Sequence, residues 1–110
     1  MSKHVAELSD SDADNYLKES NRPLLVDFWA PWCGPCRAIA PTVDQVGHDY
    51  EGRARVANVN VADNPDLSSR YKVLAIPTVI LFKDGEERER LVRSQTRNSL
   101  ESLLDRHLSC

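Results

Sequence analysis

The order of elements along the 110-residue chain predicts an α/β fold, a mixed sheet with helices on both faces. Three observations carry this. Leu24–Ala30 and Thr78–Phe82 are nearly continuous apolar runs rich in strand formers, as strands covered on both faces require. Between and around them lie segments whose apolar residues recur at helical spacing. Asp84-Gly85 follows the second run and is a strong hairpin signal, which adds an antiparallel strand.

In order, His4–Leu8 reads as a short, weak strand. Ser9 with Asp12 resembles a capping signal, after which Ala13, Tyr16 and Leu17 share one helical face. Leu24–Ala30 is the first buried strand. From Pro35 onward Cys36, Ile39, Ala40, Val43, Val46 or Gly47, and Tyr50 repeat at helical spacing, and Pro41 inside the pattern predicts a kink. Arg55–Val61 alternates as a strand. Asn64-Pro65 reads as an N-cap with proline at the first helical position, opening a short helix that ends near Tyr71. Thr78–Phe82 is the second buried strand. The segment Glu86–Val92 has helical propensity, but the hairpin turn before it argues for an edge strand guarded by charge. Thr96 caps a last helix whose Leu100, Leu103, Leu104 and Leu108 form an apolar core stripe. The sum is βαβαβαββα, without repeats, linkers or low-complexity tracts, in one domain over residues 1–110.

Composition narrows the function. The chain has 41% hydrophobic and 28% charged residues and a formal net charge of -3, ordinary for a globular protein and unlike a nucleic-acid binder. No apolar run approaches the roughly 18 residues that span a bilayer. The N-terminus lacks the apolar stretch of a secretory signal, so none is expected. Three cysteines do not make a disulfide scaffold. Two of them, Cys33 and Cys36, sit close together where a buried strand gives way to a helix, and open α/β sheets place their sites at such strand ends.

Two residues three apart near a helix start bring their α-carbons to roughly 5 Å, within the window for a disulfide. At or near the N-cap, the Cys33 sulfur meets free backbone N–H groups and the positive end of the helix dipole. An effect on the order of 0.3 to 2 kcal/mol, at about 1.4 kcal/mol per pKa unit, lowers a thiol of ordinary pKa roughly 8.5 by about one unit. A thiolate fraction near neutral pH follows. Cys36, one turn further in, faces the core. Cys33 is therefore read as the attacking thiol and Cys36 as the resolving one. The competing reading, half of a zinc site, lacks its other half: Cys110 is at the far end and His4, His48 and His107 show no ligand spacing.

The stretch "VDFWAPWCGPC", followed by "APTVDQV", "ADNPDLSSRYKVLAIPTVILFKDGE" and an amphipathic last helix, closely resembles the thioredoxin family from about Val5 to Leu108. The resemblance implies a thioredoxin fold with a five-stranded mixed sheet flanked by four helices. It implies a cytoplasmic protein-disulfide reductase, a monomer, which acts on protein disulfides and binds neither nucleic acid nor membrane. No cofactor is bound: the redox centre is the Cys33–Cys36 disulfide, reduced indirectly by NADPH through a flavoprotein thioredoxin reductase. An oxidase or isomerase on the same fold, or a non-catalytic subunit that grips a partner with the same surface, are the rival readings.

Asp27, a carboxylate inside an apolar strand, matches the family's buried acid. Burial raises its pKa, and it would take the Cys36 proton. The "IPT" stretch matches a cis-proline loop, so Pro77 is read as cis against the base rate, with the Ile76 backbone pairing to an extended substrate. Trp32, Gly34, Pro35 and Val92 complete the expected substrate groove, while Trp29 is read as packed core. Cys110 is read as a free, non-catalytic thiol. Three positions depart from the family: Asn58, where a lysine is common near the buried acid; Arg93, with Ser94, where glycine and a small residue are usual; and Ala75 in place of a glycine.

Overall fold

The computed structural model describes residues 4–18 and 22–108. The elements are β1 (Ala6–Glu7), α1 (Ala13–Lys18), β2 (Leu24–Trp29), α2 (Gly34–Asp49), β3 (Arg55–Asn60), α3 (Pro65–Arg70), β4 (Thr78–Lys83), β5 (Glu86–Val92) and α4 (Arg97–Leu108). They form one five-stranded sheet in the order β1-β3-β2-β4-β5. β1, β3 and β2 run parallel, and β4 and β5 are antiparallel to their neighbours. The predicted βαβαβαββα order and mixed sheet are found. The first strand is shorter than its sequence suggested, two residues at an edge.

The alternation of side chains along β2 divides the core in two. Leu25 joins Ile39, Val43 and Val46 of α2 and Leu100, Leu103 and Leu104 of α4 on one face. Leu24, Val26 and Phe28 join Ala13 and Leu17 of α1 and Leu67 of α3 on the other. With apolar cover on both faces, β2 and β4 must be apolar at nearly every position, which is why they read as continuous apolar runs.

Helix α2 runs unbroken through Pro41, although the proline has no N–H to give the Arg37 carbonyl. Ala40, placed on the buried stripe by its spacing, is exposed; Cys36, Ile39, Val43, Val46 and Gly47 form the stripe instead. Gly47 is needed because a Cβ there would stand 2.7 Å from the His4 carbonyl oxygen. The Tyr50 hydroxyl donates to Asp105 at 2.7 Å and ties the end of α2 to α4. The Asp84-Gly85 turn has positive φ at both residues, 56° and 78°, which suits a two-residue hairpin.

The charges on edge strand β5 are more than a guard. Glu89 accepts from Arg106 at 2.9 Å and meets His107 at 2.5 Å, pinning the end of α4 to the sheet. Those two bonds, Arg106's first, hold the Glu89 carboxyl down to about 2.

Helix α3 begins as predicted, with Asn64 at the N-cap and Pro65 first, but the capping bonds come from elsewhere. The Asn64 side chain makes no capping bond. The cap comes from Asp10, whose two carboxylate oxygens accept from the N–H groups of Leu67 at 2.9 Å and Asp66 at 3.2 Å. Asn64 holds Asp10 in place by accepting its backbone N–H at 3.0 Å. A cap supplied from 56 or 57 residues away leaves no local sequence signal. Asp10→Ala should therefore lower stability by about 1 kcal/mol, the usual worth of a helix N-cap. Chemical denaturation of the variant checks this, and an unchanged midpoint contradicts the assignment.

Candidate active site

Cys33 is the N-cap of α2, at φ -93° and ψ 111°. The preceding loop is closed by its N–H, which donates to the Ala30 carbonyl at 3.1 Å, and the helix begins with the Arg37 N–H on the Cys33 carbonyl at 3.1 Å. Cys33 and Cys36 are joined by a disulfide with their α-carbons 5.3 Å apart, as the spacing predicts. The Cys36 N–H donates to the Cys33 Sγ at 3.2 Å. In this oxidised form the Cys33 sulfur marks where the thiolate of the reduced form sits, so an amide of the first helical turn already points at that charge. Cys36 is the more deeply buried of the two, 1% exposed against 6% for Cys33.

The disulfide packs against Ala30 with Trp29, Val61 and Ile76 around it. Gly34 and Pro35, exposed at the start of α2, leave the approach open, and a Cβ on Gly34 would meet no atom within 4 Å. Trp32 stands out into solvent at 72% exposure. On the other side lies the Ile76–Pro77 loop, whose peptide bond is cis as the resemblance implied. Two bonds hold this loop: the Thr78 hydroxyl donates to the Ala75 carbonyl at 2.5 Å, and the Arg93 N–H donates to the Pro77 carbonyl at 2.7 Å. Ile76 makes no backbone hydrogen bond with another described residue. Val92, paired with Thr78 across β4 and β5, is exposed next to this loop.

Asp27 lies on central strand β2, 5% exposed, not on an edge. Alternation points it at α2, where it lines a cavity of about 470 Å³ with Cys36, Trp29, Arg37, Asp44 and Asn58. Asn58 is its register partner on β3, so the position where the family carries lysine is beside the acid. Burial pushes the Asp27 carboxyl up to about 7. Its Oδ1, the Trp29 Nε1 and the Asp44 Oδ1 are buried with no hydrogen-bond partner among the described residues. The unpartnered polar groups around this roomy cavity suit water, which asks for several polar partners. Trp29 is not wholly packed core: it is half-buried and forms part of the cavity wall.

The predicted residues Cys33, Cys36, Asp27, Trp32, Gly34, Pro35, Ile76, Pro77 and Val92 thus gather around one disulfide from four separate stretches of chain. Cys110 lies outside the described residues. Among those described, no group of three or more His, Cys, Asp or Glu residues is placed to hold a metal ion. The sequence reading missed Thr78 and Val61, which hold or line the site, and Asp44. Thr78 and Val61 had a signal, since both lie where a strand meets a loop at the site's end of the sheet. Asp44 had none beyond being a carboxylate on the buried side of α2.

The raised Asp27 pKa makes stability depend on pH. The folded chain holds the proton up to about 7, whereas an ordinary aspartate loses it near 3.8. The native state binds more protons across that window, so its stability is greatest below it and falls as pH rises through it. At about 1.4 kcal/mol per unit the loss is on the order of 4 kcal/mol. Asp27→Asn should therefore gain stability over the parent at pH 8 and much less at pH 4, as urea denaturation at the two pH values would reveal. An equal difference at both contradicts the buried charge.

Comparison with known proteins agrees with this geometry. Residues 4–106 match the family model described as Thioredoxin. The chain is 42% identical over 104 residues to Thioredoxin 1 of a Nostoc species, across 94% of this chain and 97% of that protein. It is 41% identical to a thioredoxin of Staphylococcus epidermidis over 94% of this chain and 98% of that one. It is also 42% identical to the chloroplastic thioredoxin M4 of Arabidopsis thaliana, of which it covers 54%. A five-stranded sheet with a cysteine pair capping α2, and this likeness along nearly the whole chain, make it a member of the thioredoxin family.

Proposed function

We propose that this chain is a protein-disulfide reductase working by dithiol–disulfide exchange, with Cys33 as nucleophile and Cys36 as resolving thiol. The observation that carries this is the amide of Cys36 aimed at the Cys33 sulfur in the first turn of α2. In the reduced protein the Cys33 thiolate attacks one sulfur of a substrate disulfide. A Cys33–substrate bond forms, the substrate S–S bond breaks, and the released thiolate takes a proton from solvent. Cys36 then loses its proton and attacks the Cys33 sulfur. The Cys33–Cys36 bond forms, the mixed disulfide breaks, and the substrate leaves as a dithiol carrying two electrons from the protein.

Asp27 serves the second step. It lines the same cavity as Cys36, and a carboxyl that titrates at about 7 is matched to proton transfer near neutral pH. Solvent in the cavity carries the proton between them. The ionised form accepts it, so resolution speeds up as pH rises through 7. Asn58 leaves Asp27 without the positive neighbour that would favour ionisation.

Trp32, Gly34, Pro35, Ile76, Pro77 and Val92 form the substrate groove. The unpaired backbone of Ile76 supports addition of an extended substrate segment there. A flavoprotein reductase fed by NADPH restores the dithiol, and the domain itself carries no cofactor. No helix among the described residues is long and apolar enough to cross a membrane. A dithiol reductant works where thiols are kept reduced, and we assign it to the cytoplasm on that ground.

Four measurements test the proposal. With dithiothreitol as electron source, the parent reduces a disulfide-bonded protein, Cys33→Ser does not, and Cys36→Ser accumulates a covalent mixed disulfide through Cys33. Turnover that survives Cys33→Ser overturns the assignment. Ready oxidation of substrate dithiols, read from the Cys33–Cys36 equilibrium against glutathione, would make the chain an oxidase. Asp27→Asn should slow the resolving step on the order of 100-fold at pH 7, the low end for a general base. Asn58→Lys should lower the Asp27 titration midpoint by about one unit or more, followed by carboxyl-specific NMR; an unmoved midpoint removes the role given to Asn58.

A further inference from the structure

The most exposed large apolar side chains among the described residues are Trp32 at 72%, Leu74 at 95% and Val92 at 46%. They come from three separate stretches of chain: Trp32 adjoins Cys33 in sequence, Leu74 lies on the loop before β4, and Val92 ends β5 opposite Thr78. A single exposed leucine carries no message. A set that gathers at one site does, because contiguous exposed apolar surface marks where something binds. Leu74 shares a hollow of about 220 Å³ with Trp32, Val61 and Ile76, and Ile76 and Val61 also pack against Cys33 and Cys36. The hollow is therefore continuous with the disulfide.

The opposite side of the cis-proline loop carries a charge. Arg93 follows Val92 at the end of β5, and its N–H bonds to the Pro77 carbonyl. Its φ is 77°, in the left-handed region that favours glycine and that side chains occupy at a cost of roughly 1–2 kcal/mol. The structure gives no local return for this cost: the side chain is exposed and forms no ion pair among the described residues. The Arg93 backbone is thus fixed beside the cis-proline loop, with its guanidinium exposed and able to meet a ligand. Asp63, the carboxylate on the loop that carries Val61, is turned to Asn60 at 3.3 Å and does not balance it.

We infer that the preferred substrates present their disulfide in an extended segment with an apolar side chain on one flank, seated against Leu74 and Trp32, and a carboxylate on the other, met by Arg93. This rests on the reductase reading above and names its substrate class. β4 lies between β2 and β5. The loop entering β4 therefore separates Trp32 and the Leu74 hollow from Arg93. A segment laid along Ile76 passes between the two, with its sulfur over Cys33. The chemistry is unchanged: two electrons and two protons leave the dithiol for the substrate disulfide.

The test uses disulfide-linked homodimers of short synthetic peptides, each with one cysteine, with Leu or Ser on one flank and Glu or Lys on the other. Reduction is followed by thiol release under dithiothreitol regeneration, and kcat/KM is compared between peptides within one variant, so changes common to all peptides cancel. The parent should favour Glu over Lys by about 3- to 5-fold at low ionic strength, the range of an exposed ion pair, and the preference should shrink with added salt. Arg93→Lys should keep the preference, Arg93→Gly should remove it and Arg93→Glu should reverse it. Leu74→Ser should cut the Leu-over-Ser preference by about 3-fold or more, the scale of partial burial of one leucine. A Glu-over-Lys ratio that is the same in Arg93→Gly as in the parent overturns the charge assignment, and a Leu-over-Ser ratio unmoved by Leu74→Ser overturns the apolar one. Failure of the parent to reduce any of the peptides, or 2-hydroxyethyl disulfide as an uncharged control, would instead sink the reductase reading.

Discussion

Strand β2 is paired along both edges, to β3 and β4, and covered on both faces, by α2 and α4 on one side and α1 and α3 on the other. A strand held in four directions has no freedom at its carboxyl end. The turn that leaves it is therefore fixed, and with it the position of Cys33 at the start of α2. The sulfur does not rely on its own side-chain packing for its place. It is set by the sheet on one side and by sixteen helical residues on the other.

The same strand places the acid. Asp27 falls on the α2 face because of its parity with Leu25, and so it shares a cavity with Cys36 rather than facing α1 and α3. Burying a carboxylate there costs stability once it ionises, and the site accepts that cost. An opposite charge at position 58 would lessen the cost and also lower the pKa. With asparagine there, burial alone sets the titration. Stability and the protonation of this acid are thus coupled through one group: as pH rises through about 7 the fold weakens and the carboxylate becomes able to accept a proton.

The proposed determinants of substrate choice lie elsewhere, on loops that the framework carries but does not depend on. The loop before β4 is held by Thr78 and by the Arg93 backbone, which leaves the Arg93 and Leu74 side chains at liberty. The redox chemistry can then stay constant while the rim changes. In this chain the proposed rim is apolar on the Leu74 flank and cationic on the Arg93 flank, against a net charge of -3 for the chain as a whole.

The sequence by itself determined most of the architecture, because periodicity, the Asp84-Gly85 turn and doubly buried strands are local signals that survive in one dimension. It also determined the chemistry of the cysteine pair, since a spacing of three at a helix start fixes their proximity, 5.3 Å between α-carbons. The family resemblance supplied the cis bond before Pro77 and the part of Asp27, which spacing alone did not. Tertiary structure decided what depends on residues far apart in the chain: the cap that Asp10 gives α3, the half-buried wall that Trp29 makes beside Asp27, and the exposure of Ala40 despite its helical phase. It also decided that Leu74 and Trp32 line one hollow and that the Arg93 backbone bonds the cis-proline loop. Local patterns record which face of an element is apolar; they carry no record of which other element covers it or leaves it open, and the site is made of those long-range choices.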